Sequence, residues 1–203
     1  LQAGGVGGDE TVASSVKDQE KSQAGGTVVS PENGKDEWAF LDEINAEIAN
    51  FRGKVWIYAK NLDTGKDFGI RADEQVRTAS TIKLPIMTEV FRQVEQGKIK
   101  WTDEITLTKQ NKQGGSGILG EFSDGTKIDI KTLTNLMIVV SDNTATNLVL
   151  ETVKADNVND FLDILDLKQT RSLRKIGGGA DSKANSDPRL KLFGIGASSP
   201  KDM

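Results

Sequence analysis

Apolar positions recur at helical spacing along much of the chain. Leu41, Ile44, Ile48 and Phe51 follow this spacing and predict an amphipathic helix that ends before Gly53. Four further stretches show a comparable pattern and are predicted to be helical: 80–97, 130–140, 145–153 and 158–167. The polar residues 141–144 separate the predicted helix over 130–140 from the one over 145–153.

A strand-like stretch lies between the first two helices. Residues 54–62 (KVWIYAKNL) read as a strand, 63–65 as a turn, and 66–71 as the hairpin partner. Two strands alone are marginal in water, so this hairpin is expected to join a larger sheet or to pack on helices. Residues 171–197 show no sustained periodicity and are predicted to be loop-like.

The two ends of the chain differ in character. Residues 1–30 are rich in Gly, Ser, Gln and charge, so we expect a flexible leader or tether over 1–35, or a remnant of expression, and a folded domain over 36–203. At the other end, Ser199 precedes proline and an acid, which are helix-start signals. This favours a domain that continues beyond Met203.

Composition excludes several kinds of chemistry. The 203 residues carry a net charge of −4, and no basic cluster suggests a nucleic-acid partner. The chain has no histidine and no cysteine, which excludes a Ser-His-Asp triad and a thiol nucleophile. The same absence removes most routes to a transition-metal site, so no metal or other cofactor is expected.

A serine and a lysine three residues apart open the second helix, in the sequence TASTIKLPIM at 78–87. On a helix, Ser80 and Lys83 share a face, and a buried lysine beside a serine can serve as a base. S-x-x-K is a weak signal by itself. It also occurs at Ser14/Lys17, Ser172/Lys175 and Ser198/Lys201, and the bland alternative is a capping serine beside a solvated lysine.

A second motif, S-D-N, occurs once, at Ser141-Asp142-Asn143, in the break between two apolar helices. Asp142 could simply cap the following helix. A break in a buried helical pair can also direct a hydroxyl and a carboxamide into a cleft, where they could relay a proton and hold a lysine and a substrate amide.

The two motifs, in this order and context, resemble the class A β-lactamase family of penicillin-recognising serine hydrolases. The resemblance covers residues 36–203 and includes S-T-I-K at 80–83 and S-D-N at 141–143. It implies an α+β fold, in which an antiparallel sheet carries packed helices beside an all-helical subdomain. The active site would lie between the two parts.

The resemblance also implies roles for individual residues. Ser80 would be the acylated nucleophile, and its backbone N–H would supply half of the oxyanion hole. Lys83 would be the base, and Ser141 would pass a proton to the β-lactam nitrogen. Asn143 would hold the substrate's acylamide and the lysine. The GGSG stretch at 114–117 would either line the cleft or be a plain turn.

Two features of the family pattern are absent. The family has a glutamate about three dozen residues beyond S-D-N, which activates the water that removes the acyl group. The corresponding residues here, 175–179 (KIGGG), carry no carboxylate, and Asp181 and Asp166 are the nearest acids. The K-T-G or K-S-G strand is also absent, and we expect it to follow Met203. The 203 residues alone are therefore predicted to be inactive.

Three functions are compatible with these motifs. The first is a β-lactamase-like hydrolase that opens β-lactams through a Ser80 acyl-enzyme. The second is a penicillin-binding D,D-peptidase or esterase with slow deacylation, acting on a D-Ala-D-Ala-like peptide. The third is a non-catalytic relative. In each case we expect a monomer that is secreted or located in the periplasm or cell envelope.

Overall fold

A computed structural model describes residues 41–179 and 181–203. The leader predicted over 1–35 lies outside the described residues, as does the predicted start of the domain at residue 36. The described part of the chain contains five α-helices, and no helix in it is long and apolar enough to cross a membrane. The helices are α1 (Leu41–Asn50), α2 (Lys83–Glu95), α3 (Ile130–Val139), α4 (Asn143–Val153) and α5 (Ala155–Ile164).

The described strands form three small antiparallel sheets, so the predicted α+β class is confirmed. The predicted hairpin forms as a two-stranded sheet with slightly shorter strands. The second sheet has three strands in the order β3, β7, β6, and the third has two. The strands are β1 (Ile57–Lys60), β2 (Asp67–Ile70), β3 (Val76–Arg77), β4 (Glu104–Thr106), β5 (Lys127–Asp129), β6 (Arg171–Ser172) and β7 (Gly196–Ser198).

The prediction that 171–197 is loop-like was incomplete, because β6 and the start of β7 lie in it. Strands of two and three residues are too short to show the alternation that reveals a strand in a sequence. Gly196 is a second reason why β7 is not recognised in the sequence, because glycine is unusual inside a strand. A Cβ there would lie 2.8 Å from both Thr78 Oγ1 and Ile82 Cδ1, so the close approach of the segment that follows β3 favours glycine.

Several helix boundaries were also wrong by two or three residues. Helix α4 begins at Asn143 rather than Ala145, and α5 begins at Ala155 rather than Val158. Lys154 has a φ of 69°, which ends α4 and lets α5 begin at the next residue. At the chain's end, the predicted helix start is a single turn, in which the Met203 N–H donates to the Ser199 carbonyl at 3.2 Å.

Helices α2, α3, α4 and α5 pack against one another around one apolar core. Burying each large aliphatic side chain contributes about 1.5–3 kcal/mol. The fully buried members include Val90, Leu133, Met137, Val149, Val153 and Val158. This core matters for function because it fixes the start of α2 against the break between α3 and α4.

A buried polar cluster adds a second connection between α2 and α4. Glu89 is fully buried and accepts hydrogen bonds from Arg92, at 2.6 and 2.7 Å, and from Gln93 Nε2, at 2.6 Å. Gln93 Nε2 also donates to the Val153 carbonyl at the end of α4, at 2.9 Å. A buried carboxylate is tolerated here because its oxygens are paired.

Candidate active site

Ser80 and Lys83 are positioned by a tight turn that leads into α2. Residues Ala79–Ile82 form a 3₁₀ helix, and Lys83 is the first residue of the α-helix. Residues three apart are aligned in a 3₁₀ helix, so the predicted shared face of Ser80 and Lys83 is present. The backbone N–H of Ser80 lies in the first turn, where amides have no partner within the helix.

Lys83 is almost completely buried, with 2% of its surface exposed. Its Nζ donates to the Ser141 carbonyl at 2.7 Å, to Ser141 Oγ at 2.8 Å and to Asn143 Oδ1 at 3.3 Å. These three acceptors match the three protons of an ammonium group. The alternative of a solvated lysine is therefore wrong.

The surroundings of Lys83 also change its acidity. Burial lowers the pKa of Lys83 below the usual lysine range, because a charged ammonium loses hydration there. The nearby Asp142 carboxylate acts in the opposite direction and raises this pKa. The net direction is downward, which increases the fraction of neutral lysine that can accept a proton.

The Ser141 hydroxyl lies between the Ser80 hydroxyl and the Lys83 amine. Its Oγ–H donates to Ser80 Oγ at 3.0 Å, and its Oγ accepts from Lys83. A hydroxyl can rotate, so Ser141 can donate to either neighbour. Its φ of 55° is unusual for a residue other than glycine, and such strain collects at functional sites.

Asp142 does more than cap a helix. Its Oδ1 accepts from the Ala145 N–H at 2.9 Å, which confirms the predicted cap of α4. Its Oδ2 also accepts from the backbone N–H groups of Ile118 and Leu119, at 2.6 and 2.8 Å. The carboxylate therefore joins the start of α4 to the loop over residues 113–119, which the sequence did not indicate.

Asn143 is held by the same 113–119 loop. Its backbone N–H donates to the Ser116 carbonyl at 2.9 Å, and its Nδ2 donates to the Gly114 carbonyl at 3.1 Å. The GGSG stretch thus lies directly against the S-D-N motif. Two of its glycines are required by this contact: a Cβ on Gly115 would lie 2.7 Å from Asn143 Nδ2, and one on Gly117 would lie 2.2 Å from Asp142 Oδ2.

The loop over residues 174–179 is fixed to α4 one turn further along the helix. Asn147 Oδ1 accepts from the Ile176 N–H at 2.9 Å, and Asn147 Nδ2 donates to the Ile176 carbonyl at 2.9 Å. Gly177 lies against Gln113, because a Cβ there would be 2.3 Å from Gln113 Oε1. Asn147 was missed at the sequence level, although it shares a face of α4 with Asn143.

The two acids closest in sequence to residues 175–179, Asp166 and Asp181, are not part of the hydrogen-bond network around the S-D-N motif. Asp166 is exposed and forms an ion pair with Lys168 at 2.7 Å, which lowers the pKa of its carboxyl group. Asp181 is exposed and follows the undescribed Ala180. Among the described residues, no carboxylate other than the fully occupied Asp142 has a hydrogen bond to the S-D-N segment.

The other S-x-x-K pairs have ordinary surroundings where they are described. Ser172 is a buried residue of β6, and Lys175 Nζ forms an ion pair with Glu151 Oε1 at 3.3 Å. Ser198 Oγ lies 2.7 Å from Thr170 Oγ1, and Ser14/Lys17 lies outside the described residues. The structure thus brings together Ser80, Lys83, Ser141 and Asn143, whose catalytic roles stay predictions.

Curated proteins similar to this chain include two of different kinds. One is an imipenem-hydrolyzing β-lactamase from Enterobacter cloacae, 24% identical over 111 residues, which cover 55% of this chain and 38% of that protein. Another is the β-lactamase regulatory protein BlaB from Streptomyces cacaoi, 25% identical over 122 residues, covering 58% and 39%. The chain spans well under half the length of either relative.

Solved structures share the fold. A β-lactamase from Sphaerobacter thermophilus DSM 20745 superposes with a TM-score of 0.69 at 30% identity, covering 82% of this chain and 59% of that one. A structure named PBP-A gives a TM-score of 0.69 at 23% identity, covering 82% and 58%. The sequence also matches the β-lactamase enzyme family over residues 39–203. The chain therefore belongs to the β-lactamase enzyme family.

Proposed function

We propose that this protein is a serine hydrolase that opens β-lactams by forming an acyl-enzyme on Ser80. The observation that carries the proposal is the continuous contact from Ser80 Oγ through Ser141 Oγ to the buried Lys83 Nζ, at 3.0 and 2.8 Å. A nucleophile, a hydroxyl relay and a base with a lowered pKa are the parts that nucleophilic catalysis needs when no histidine is present.

Acylation would begin with neutral Lys83. The Ser80 proton would pass to Ser141 Oγ as the Ser141 proton passes to Nζ, because Lys83 has no hydrogen bond to Ser80 among the described residues. Ser80 Oγ would then form an ester bond with the β-lactam carbonyl carbon. The oxyanion would be stabilised by the Ser80 N–H, and losing one such donor costs about 3–4 kcal/mol in related chemistry.

Ring opening would use the same relay in the opposite direction. As the carbon–nitrogen bond breaks, Ser141 would donate its proton to the departing nitrogen, and the Lys83 ammonium would replace it. Asn143 uses one N–H on the Gly114 carbonyl, so its second N–H can hold the carbonyl of the substrate's acylamide.

Deacylation would be the slow step. It requires a base that activates water, and the 174–179 loop beside α4 carries no carboxylate. Without such a base, hydrolysis of the ester would be slower by roughly 10²–10⁴-fold. The proposed enzyme therefore accumulates its acyl intermediate when a β-lactam is present.

Peptide mapping of the full-length protein after brief exposure to benzylpenicillin tests this proposal. The Ser80-containing peptide is expected to carry the mass of the intact penicillin. Ser80→Ala should carry none, while the matched variant of an exposed serine in another loop, Ser123→Ala, should label like the parent. Labelling of a different residue, or of Ser80→Ala, would refute the assignment.

A second candidate is a D,D-peptidase or esterase that uses the same residues on a D-Ala-D-Ala-like peptide. The missing carboxylate at 175–179 favours it, because an enzyme that releases acyl groups from peptides need not hydrolyse penicillin rapidly. Comparing turnover of a D-Ala-D-Ala peptide with turnover of nitrocefin separates the two. Faster relative turnover of the peptide would favour the peptidase.

A third candidate, a non-catalytic relative, is favoured by one comparison, because a similar curated protein is named as a regulatory protein. The intact contact between Ser80, Ser141 and Lys83 argues against it, since a buried lysine is costly to keep unless it is used. Unchanged biological activity in Ser80→Ala would support the non-catalytic role.

A further inference from the structure

Gly196, the first residue of β7, is buried against the turn that carries Ser80 and Lys83. A Cβ on Gly196 would lie 2.8 Å from Thr78 Oγ1 and 2.8 Å from both Cγ1 and Cδ1 of Ile82. Thr78 lies two residues before Ser80, and Ile82 immediately precedes Lys83. One residue of β7 therefore meets this turn on both sides of the serine.

The need for glycine at this position is steric and does not come from the backbone. The φ of Gly196 is not positive, so an alanine could adopt the same backbone conformation. Its methyl group, however, would force Thr78 or Ile82 to move. These two residues are 5% and 2% exposed, and a closely packed interior gives little room for such a movement.

A backbone contact between β7 and the turn fixes the residues that precede the serine. The Thr78 N–H donates to the Gly196 carbonyl at 3.1 Å, and the Thr78 carbonyl accepts from the Thr81 N–H at 3.0 Å and from Thr81 Oγ1 at 2.7 Å. Ala79, the next residue, has a φ of 44°, which is rare outside glycine. Such a conformation persists only where its surroundings hold it, so the direction of the Ser80 N–H depends on the position of Thr78.

The contact with Ile82 affects the lysine in the same way. Ile82 belongs to the apolar core, and Lys83 follows it at the start of α2. Lys83 Nζ lies 2.7 Å from the Ser141 carbonyl and 2.8 Å from Ser141 Oγ. Hydrogen bonds of this length allow little displacement, so a shift of Ile82 would weaken the contact between Lys83 and Ser141.

We propose that Gly196 is a positioning residue for the acylation of Ser80. Its missing side chain lets β7 pack directly on the 78–83 turn, and this packing holds the serine and the lysine in register with Ser141. The inference rests on the proposed function, because it assigns a further residue to the same reaction. Gly196 acts through Thr78 and Ile82 and makes no contact with the reacting atoms.

Acylation by benzylpenicillin in the full-length protein, followed at increasing penicillin concentration, tests the inference. The concentration dependence separates the limiting rate of acylation from the binding of unreacted penicillin. Gly196→Ala is expected to lower the limiting rate by about 10–100-fold, because small displacements of reacting groups have effects of this size. The binding constant of unreacted penicillin should change by less than about twofold, because the side chains of the site itself are retained.

A glycine in another sheet provides the matched control. Gly69 lies in β2, and a Cβ there would lie 2.6 Å from Ala72 Cβ, so Gly69→Ala also introduces a crowded methyl group into a strand. Strand β2 pairs with β1 and not with β7. Gly69→Ala should therefore keep the parent's limiting rate of acylation, even if its melting temperature falls.

A second substitution should relieve the crowding at Gly196. Ile82→Val in the Gly196→Ala background removes Cδ1, one of the atoms that the new methyl group would meet. The double variant is expected to acylate at least about threefold faster than Gly196→Ala alone, because the two substitutions affect one contact. A general loss of stability would not be reversed by making a core side chain smaller.

Several outcomes would overturn the inference and leave acylation of Ser80 intact. These are a parent-like limiting rate in Gly196→Ala, an equal loss in Gly69→Ala, or no recovery in the double variant. Failure of Gly196→Ala to fold, with and without Ile82→Val, would also overturn it, because the glycine would then be needed for folding rather than for positioning. If the parent protein is not acylated on Ser80, the proposed function fails and this role fails with it.

Discussion

Two loops border the first turns of α4, and they differ in what they supply. The 113–119 loop is connected to the S-D-N motif by hydrogen bonds to Asp142 and Asn143. The 174–179 loop is held by hydrogen bonds between Asn147 and the backbone of Ile176 and by an ion pair between Lys175 and Glu151, and it contributes no carboxylate. The first loop holds Asp142 and Asn143 in place, and the second carries no carboxylate that could activate water.

This difference separates two halves of one reaction. In the proposed reaction, forming an acyl-enzyme uses Ser80, Ser141 and Lys83, which are joined by hydrogen bonds. Hydrolysing it needs a further base, which has no counterpart in the 174–179 loop.

Removing the amine of Lys83, the proposed base, should abolish most acylation of Ser80. Lys83→Met keeps the buried aliphatic stem and removes the amine, and we expect the rate of Ser80 acylation to fall by about 10³–10⁴-fold. Stopped-flow or gel measurements with a fluorescent penicillin would give this rate. Lys98→Met, at an exposed lysine after α2, is the control and should retain the parent rate. Normal acylation in Lys83→Met would show that another group takes the Ser80 proton.

Adding a carboxylate to the second loop should accelerate deacylation. Ile176→Glu introduces an acid at the residue that Asn147 holds beside the site, and we expect the adduct to clear about 10–100-fold faster. The lifetime of the acyl-enzyme after removal of excess penicillin measures the effect. Ile164→Glu makes the same exchange at the exposed end of α5 and should not change the lifetime. An unchanged lifetime in Ile176→Glu would mean that this loop does not face the acyl group.

Disrupting the first loop should cost stability. Gly117 has a φ of 112°, and a methyl group there would collide with the Asp142 carboxylate. Gly117→Ala should lower the free energy of unfolding by about 1–3 kcal/mol, which corresponds to roughly 2–4 °C of melting temperature per kcal/mol. Gly120→Ala is the control, because nothing lies within 4 Å of its added Cβ. Equal melting temperatures for both variants would contradict the described contact.

The smallest expected effect is a shift in pH dependence. In the proposed reaction neutral Lys83 is the base, so the acylation rate should rise as pH rises through the lowered pKa of Lys83. Because the Asp142 charge raises that pKa, Asp142→Asn should move the rise in rate to lower pH. A pH–rate profile for both proteins measures the shift, and movement to higher pH would contradict the assigned cause.

The lowered pKa has a matching consequence for folding. The unfolded chain binds the Lys83 proton more tightly than the folded protein does. Stability is therefore expected to increase with pH between the folded and unfolded pKa values of this group. Lys83→Met should lose this contribution to the pH dependence, which denaturant titrations at several pH values would detect.

Much of this arrangement could be predicted from the sequence. Helical spacing located all five helices within a few residues, and the order of S-T-I-K and S-D-N indicated which four polar side chains would meet. These signals are local or depend on residue type at fixed spacing. The cap by Asp142 was predicted for the same reason.

The parts that could not be predicted depend on contacts between distant segments. The second role of Asp142 requires the 113–119 loop to fold back onto α4, which no local pattern reveals. Strands β6 and β7 are defined by the pairing of Arg171 with Ala197 and of Ser172 with Gly196, which are distant in the sequence, and not by their own composition. The hydrogen bond from Asn147 Nδ2 to the Ile176 carbonyl also joins segments that are distant in the sequence.

The proposed function requires that β-lactams acylate Ser80 and that the ester then persists. Intact-protein mass spectrometry of the full-length protein, followed over time after a brief exposure to benzylpenicillin, measures both parts together. We predict a single adduct on Ser80 that forms quickly and remains long after free penicillin is removed. An adduct that clears as fast as it forms would contradict slow deacylation, and the absence of any adduct would contradict acylation of Ser80.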